Sequence, residues 1–112
     1  MSNQWTPESV FDILADKKAR QILAATNIAP RSAKELVDIC DGSLSAIYRR
    51  IDVMTEYDML DEKMQLSTDG HHSNKYTPKF HNVDVKLDRG KIVVKFEDLE
   101  FEEELSEERE IV

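Results

Sequence analysis

In the stretch GSLSAIYRRIDVM, Gly42–Met54, two hydroxyls, a phenol and two guanidinium groups fall close together: Ser43, Ser45, Tyr48, Arg49 and Arg50. These side chains hold anions rather than break bonds. A guanidinium presents a planar fork of donors that matches a carboxylate, a phosphate or the edge of guanine, and a good base contact contributes roughly 1–3 kcal/mol of discrimination. A Ser placed just ahead of a helix leaves backbone N–H groups near the helix start, which suit a phosphate. A plain solvated helix face would carry the same arginines, so their meaning depends on what positions them.

The other candidates fall in two groups. Arg31, Ser32 and Lys34 stand at the start of a preceding apolar-periodic segment, and TDGHHSNK supplies His71, His72, Asn74 and Lys75 at a turn. Adjacent histidines without a third ligand do not make a zinc site, so His71 and His72 are expected as surface or anion contacts and no metal is assigned. The single Cys, Cys40, excludes an internal disulfide framework and a multi-thiolate site. No nucleophile stands with a recognisable base, and there is no Gly-rich phosphate loop and no carboxylate pair in an apolar setting. No enzymatic activity or cofactor is therefore expected, and no small-molecule ligand is identified.

The elements that must carry these residues read clearly over the first half. Thr6 is placed to cap a helix with Pro7 at its first position and Val10, Phe11, Ile13 and Leu14 on its apolar side. Asp16 is a second cap, ahead of Ala19, Ile22 and Leu23, and Pro30 ends that helix by forcing Ala29 to be extended. Ser32 and Glu35 form a capping box, and Ala33, Leu36, Val37 and Cys40 make a buried stripe. Asp41-Gly42 is a tight turn, and Ser43 caps a helix spanning about 43–57. Leu44, Ile47, Ile51 and Met54 are expected to face inward there, Ser45, Ala46, Arg49 and Arg50 outward, with Tyr48 at the border.

Beyond Glu56 the period becomes that of strands. MLDEKMQL and NKYTPKF form a first hairpin about a turn containing Asp69-Gly70. Val83, Val85 and Leu87, then Ile92, Val94 and Phe96, alternate with polar residues about DRGK as a second. The end of the chain is expected as a short helix or as disordered.

The 112 residues are enough for one modest core. Net charge is −8, yet residues 1–96 hold 14 basic and 14 acidic side chains, while 97–112 hold 9 acids and one Arg. The acidity is that of a tail, most simply a solubilising one, and it leaves room for basic surface on the body. No apolar run is long enough to span a membrane, and MSNQWTPES has no signal-peptide pattern, so a cytoplasmic protein is expected.

Two short helices about a tight turn, the second bearing exposed Ser, Tyr and Arg and followed by a hairpin, make a helix-turn-helix with a wing. LADKKARQILAAT, SAKELVDICDGSLSAIYRRID and the wing after them resemble the ArsR-type winged helix-turn-helix regulators, especially small versions from halophilic archaea, over residues 8 to 80. The resemblance implies a homodimeric transcriptional regulator that binds double-stranded DNA, with Ser45 to Arg50 in the major groove. Family members often place Gly where Asp58 stands, and Asp tolerates the left-handed backbone that this position needs. Metal-sensing members use a Cys pair near the third helix, where this chain has Cys40 alone.

The expected fold is α+β, a winged helix-turn-helix over 1–80 with an additional C-terminal β-hairpin at 81–97 and an acidic tail at 98–112. The second hairpin, with Trp5 and Phe11, is the candidate dimerisation surface. On this reading Tyr48, Arg49 and Arg50 meet bases or phosphates, Ser43, Ser45 and Ala46 line the groove floor, and Arg31, Ser32 and Lys34 hold phosphates. The wing group acts at a phosphate or the minor groove. The alternatives are a winged-helix adaptor that binds protein and never DNA, and a sequence-tolerant chromatin-type binder.

Overall fold

The computed structural model describes residues 7–66, 70, 72–96 and 101–106, with residues 7, 72, 96 and 101–106 described by backbone alone. Thr6, Trp5 and His71 lie outside the described residues, as do residues 107–112 of the tail. Four helices come first: α1 (Pro7–Ala15), α2 (Lys17–Ile28), α3 (Ala33–Cys40) and α4 (Leu44–Glu56). Strands β1 (Leu60–Leu66) and β2 (His72–Pro78) follow, then β3 (Val83–Asp88), β4 (Lys91–Phe96) and β5 (Phe101–Ser106).

Each helix boundary has a local cause. Asp16 caps α2, its carboxylate accepting the Lys18 N–H at 3.2 Å, and Ala29 ahead of Pro30 is extended, as a residue before proline must be. The capping box of α3 is complete, with Ser32 N–H on Glu35 Oε1 at 2.8 Å and Glu35 N–H on Ser32 Oγ at 3.2 Å. That helix ends at Asp41 in the left-handed region. Ser43 Oγ accepts the Ala46 N–H at 3.2 Å to start α4. Asp58, at φ 63°, ends it in a Schellman motif: Met59 N–H reaches Met54 O at 2.8 Å and Asp58 N–H reaches Thr55 O at 3.0 Å.

The helices bury one contiguous core. Val10, Ile22, Leu36, Cys40, Ile47, Ile51 and Met54 meet Met59, Leu60 and Tyr76 from the wing, with Phe11, Leu14, Leu23 and Val37 half-buried around them. Truncating a fully buried Ile or Leu here is expected to cost about 2–5 kcal/mol. Leu44 departs from expectation and stands exposed. It is the first residue of α4, and side chains on a helix lean toward its N-terminus, so this one leans past the end of the packed surface.

The wing is an antiparallel pair with Leu60 opposite Pro78 and Leu66 opposite His72. Arg31 adds a bridge to Tyr76 through two backbone bonds of 3.2 and 2.8 Å, which anchors the hairpin to the entry of α3. The second hairpin turns through Arg89 and Gly90, both at positive φ, and becomes a three-stranded sheet in the order β3-β4-β5. This corrects the expectation of a short helix or disorder at the end of the chain. β5 pairs antiparallel with β4 and sets Glu102 opposite Lys95, closing an edge that would otherwise offer unpaired backbone groups. Val94 is buried in the core with Val83 and Ile92 packed against it, so the base of this sheet covers the body of its own chain. The fold is thus the α+β winged helix-turn-helix with an additional C-terminal sheet.

Candidate nucleic-acid interface

The candidate interface is built on α4. Its buried row, Ile47, Ile51 and Met54, holds it to the body, and this leaves Ser45, Tyr48, Arg49, Asp52 and Val53 exposed on the other side. Ser43 Oγ lies 3.5 Å from Ser45 Oγ, so the two hydroxyls sit together at the helix start. Ala46 is half-buried beside them. Lys34, on α3, is exposed. Among the described residues neither Arg49 nor Lys34 makes an ion pair with another described residue.

Arg50 behaves differently, and this corrects the expectation of two arginines projecting together. Its Nε donates to Asp16 Oδ2 at 2.6 Å and its Nη1 to the Ala46 carbonyl at 3.1 Å, leaving the side chain 20% exposed. Successive helix residues are rotated by about 100°, which puts Arg50 beside the buried row of Ile47, Ile51 and Met54 and Arg49 opposite it. Arg49 takes the outer face and Arg50 the flank beside the start of α2. That guanidinium holds the Asp16 carboxyl below the usual carboxylate range. A hollow of about 160 Å³, lined by Asp12, Ile13, Asp16, Arg49, Arg50, Val53 and Met54, opens beside the pair.

The groups assigned to the flanks are also largely engaged within the chain. Arg31 donates from Nε to the Ala25 carbonyl at 3.1 Å, and its backbone belongs to the wing bridge. The Ser32 hydroxyl is taken up by the capping box. Lys75 pairs with Glu35 at 3.1 Å, tying the wing to α3, and the Asn74 amide donates to Glu62 Oε2 at 2.6 Å. His72 is placed opposite Leu66 by the register, and nothing more is described of it. Arg31, Ser32, Asn74 and Lys75 were expected as DNA contacts; within the chain they meet the Ala25 carbonyl, the Glu35 N–H, the Glu62 carboxylate and the Glu35 carboxylate in turn. A capped, closely packed hairpin offers such partners within reach, and sequence spacing does not reveal them.

The shifted groups belong to contacts that hold the framework together. The Ser32 backbone N–H and then Lys75 hold the Glu35 carboxyl low. Burial, reinforced by Glu62, pushes the Tyr76 phenol up to about 12, so it stays protonated and donates to Glu62 Oε2 at 3.3 Å. Burial also raises the Cys40 thiol, which sits inside the apolar stripe of α3, unlike an activated nucleophile. No cluster of three or more potential metal ligands occurs among the described residues.

Sequence reasoning missed several features. Asp52 puts a carboxylate on the exposed side of α4, one turn from Tyr48 and Arg49, where helical spacing would have found it. Met64 and Leu66 stand exposed on β1. Lys18 Nζ donates to Cys40 O at 2.9 Å and Asp41 O at 3.1 Å, a contact across 22 and 23 residues that no local pattern signals.

No described helix is long and apolar enough to cross a membrane. Neither the curated proteins nor the solved structures include a match to this chain. Residues 14–63 match a family model described as a helix-turn-helix domain, a segment that runs from the end of α1 through α2, α3 and α4 into β1. Family match and geometry therefore agree on a helix-turn-helix domain, with α4 in the position of its second helix.

Proposed function

We propose that the chain is a sequence-specific DNA-binding transcriptional regulator that works as a homodimer, with α4 in the major groove. The observation that carries this reading is the capped α4, buried along Ile47, Ile51 and Met54 and exposing Ser45, Tyr48 and Arg49 on its opposite side. Helix-turn-helix proteins place that face against base edges. The match of residues 14–63 to a helix-turn-helix domain supports it, and the ArsR-type resemblance of the sequence over residues 8 to 80 adds the regulatory role.

In this arrangement Arg49 reads a base or holds a phosphate, and Tyr48 and the two serines line the groove. Lys34 reaches a phosphate from α3. His71 and His72 act at the wing. Arg31, Ser32, Asn74 and Lys75 serve mainly by holding α3 and the wing in place. The protein then has no catalytic step, and its selectivity resides in the shape and donors of α4.

Selection of a short duplex from a random-sequence pool tests the proposal. The wild-type chain is expected to enrich a defined sequence. Arg49→Ala should weaken binding to it by about 5- to 100-fold if the contact is to a base. If the contact is to a phosphate, the variant should instead flatten the salt dependence by about 0.9 in log–log slope. Failure to retain any duplex at low salt, together with capture of a protein partner, would favour the adaptor reading. The exposed Leu44 and Val53 and the carboxylate of Asp52 are the features of this face that an adaptor would use. Equal retention of all sequences would favour a chromatin-type binder.

A further inference from the structure

We infer that the first turn of α2 is the positioning element of this interface: Asp16 and Lys18 set the recognition helix, and Arg50 acts through Asp16 rather than on DNA. The inference rests on the DNA-binding reading of α4 and names the residues on which its geometry depends.

Three side chains at the start of α2 each reach a different helix. Asp16 receives the Arg50 guanidinium from the middle of α4 at 2.6 Å. Lys18 donates to the last carbonyls of α3, Cys40 O and Asp41 O, at 2.9 and 3.1 Å. Arg20 donates from Nη1 to Leu14 O, near the end of α1, at 2.8 Å. The carbonyls at a helix C-terminus lack intrahelical partners and carry the negative end of the dipole, so ammonium and guanidinium groups suit them.

The turn between α3 and α4 closes over the stem of Lys18. A Cβ at Gly42 would lie 3.3 Å from Lys18 Cε, tighter than most real contacts. A side chain at position 42 would have to push the Lys18 stem aside by a few tenths of an ångström, so Gly42 suits the close approach, while it is Asp41 that takes the left-handed conformation. α4 is held at its entry through this turn and again, at Arg50, by Asp16. Two separated points fix the direction of a rod. The donors on the far side need this, because a base-edge hydrogen bond fails once a guanidinium is displaced by about 1 Å from contact distance.

The test uses the full chain and a duplex recovered from a random pool by the wild type, with Asp16→Asn, Arg50→Met, the double variant, Lys18→Met and Lys18→Arg. Asparagine is as good a helix cap as aspartate, so Asp16→Asn removes the charge and keeps α2 capped. Melting curves and titration of the DNA-binding-competent fraction of each variant separate lost fold from lost affinity. Asp16→Asn and Arg50→Met are each expected to weaken binding about tenfold. The double variant should be no worse than either single one, the signature of a coupled pair. The slope of log affinity against log salt should stay that of the wild type, since no phosphate contact is removed. Lys18→Met should weaken binding similarly, and Lys18→Arg should retain most of it.

A slope shallower by about 0.9 in Arg50→Met, with tighter binding in Asp16→Asn, would make Arg50 a phosphate contact and overturn the inference alone. Unchanged affinity in both variants would overturn it equally. A wild-type chain that enriches no duplex would instead remove the functional reading beneath it.

Discussion

Asp58 sits at φ 63°, in a region that costs an ordinary L-residue about 1 kcal/mol, and it does so at the Schellman end of α4. Its carboxylate also meets Lys79 Nζ at 2.8 Å in a half-buried surface pair, which contributes about 0–1 kcal/mol. Asp58→Ala is therefore expected to lower stability by about 1–2 kcal/mol in urea unfolding, whereas Asp58→Gly should stay within about 0.5 kcal/mol of the wild type. Titration offers a second check at this scale. Asp16 and Glu35 have folded pKa values below their ordinary ones, held there by Arg50 and by the Ser32 N–H with Lys75. Groups depressed in this way stabilise the fold above their unfolded pKa and lose that contribution as pH falls through the folded value. The melting temperature should therefore hold down to about pH 5 and drop below about pH 4, and the drop should be smaller in Asp16→Asn. Much of this scale is legible in the sequence, because caps are local: Ser32 with Glu35, Asp16 and Ser43 are all where their spacing puts them. The fate of Arg50 is not legible, since it depends on which residue 34 positions away folds beside it.

At the scale of elements, the helices and both hairpins follow from periodicity and turn residues, and the departures occur where a strand needs a partner. FEEELS has little to mark it as a strand in isolation, because three consecutive glutamates are poor strand formers; it takes up the free edge of β4, with Glu102 opposite Lys95 and Ser106 opposite Lys91. The turn between β3 and β4 offers a direct measurement. Arg89 and Gly90 both take positive φ, at 53° and 83°, the pattern of a type I′ turn. Asparagine tolerates the first of these positions far better than arginine does. Arg89→Asn should raise stability by about 0.5–1 kcal/mol, seen as a higher urea midpoint with an unchanged slope. A lower midpoint would mean that the Arg89 side chain, 4.0 Å from Asp88 and almost fully exposed, contributes more than its geometry implies.

For the whole molecule, the decisive surface is the outer end of β3. The base of its sheet is committed to the body through Val94, while Val85 stands 52% and Leu87 82% exposed. The register places Val83, Val85 and Leu87 opposite Phe96, Val94 and Ile92, so both exposed residues continue the face that is buried at its base. Water contact with a side chain of this size forgoes about 1.5–3 kcal/mol of burial, and a two-fold axis lets each copy cover the other with the same residues. The proposed dimer is expected to use this face, with Phe11 half-buried in the core and contributing little directly. Leu87→Glu should convert a sedimenting dimer to a monomer, with the melting temperature of the monomeric fold changed by only a few degrees. It should also weaken binding to a duplex carrying two half-sites about 34–36 Å apart far more than binding to one half-site, because the linkage between the two contacts is lost. A dimer that survives Leu87→Glu and Val85→Glu would place the axis elsewhere on the chain, and a wild-type monomer that binds a single site would remove the need for one.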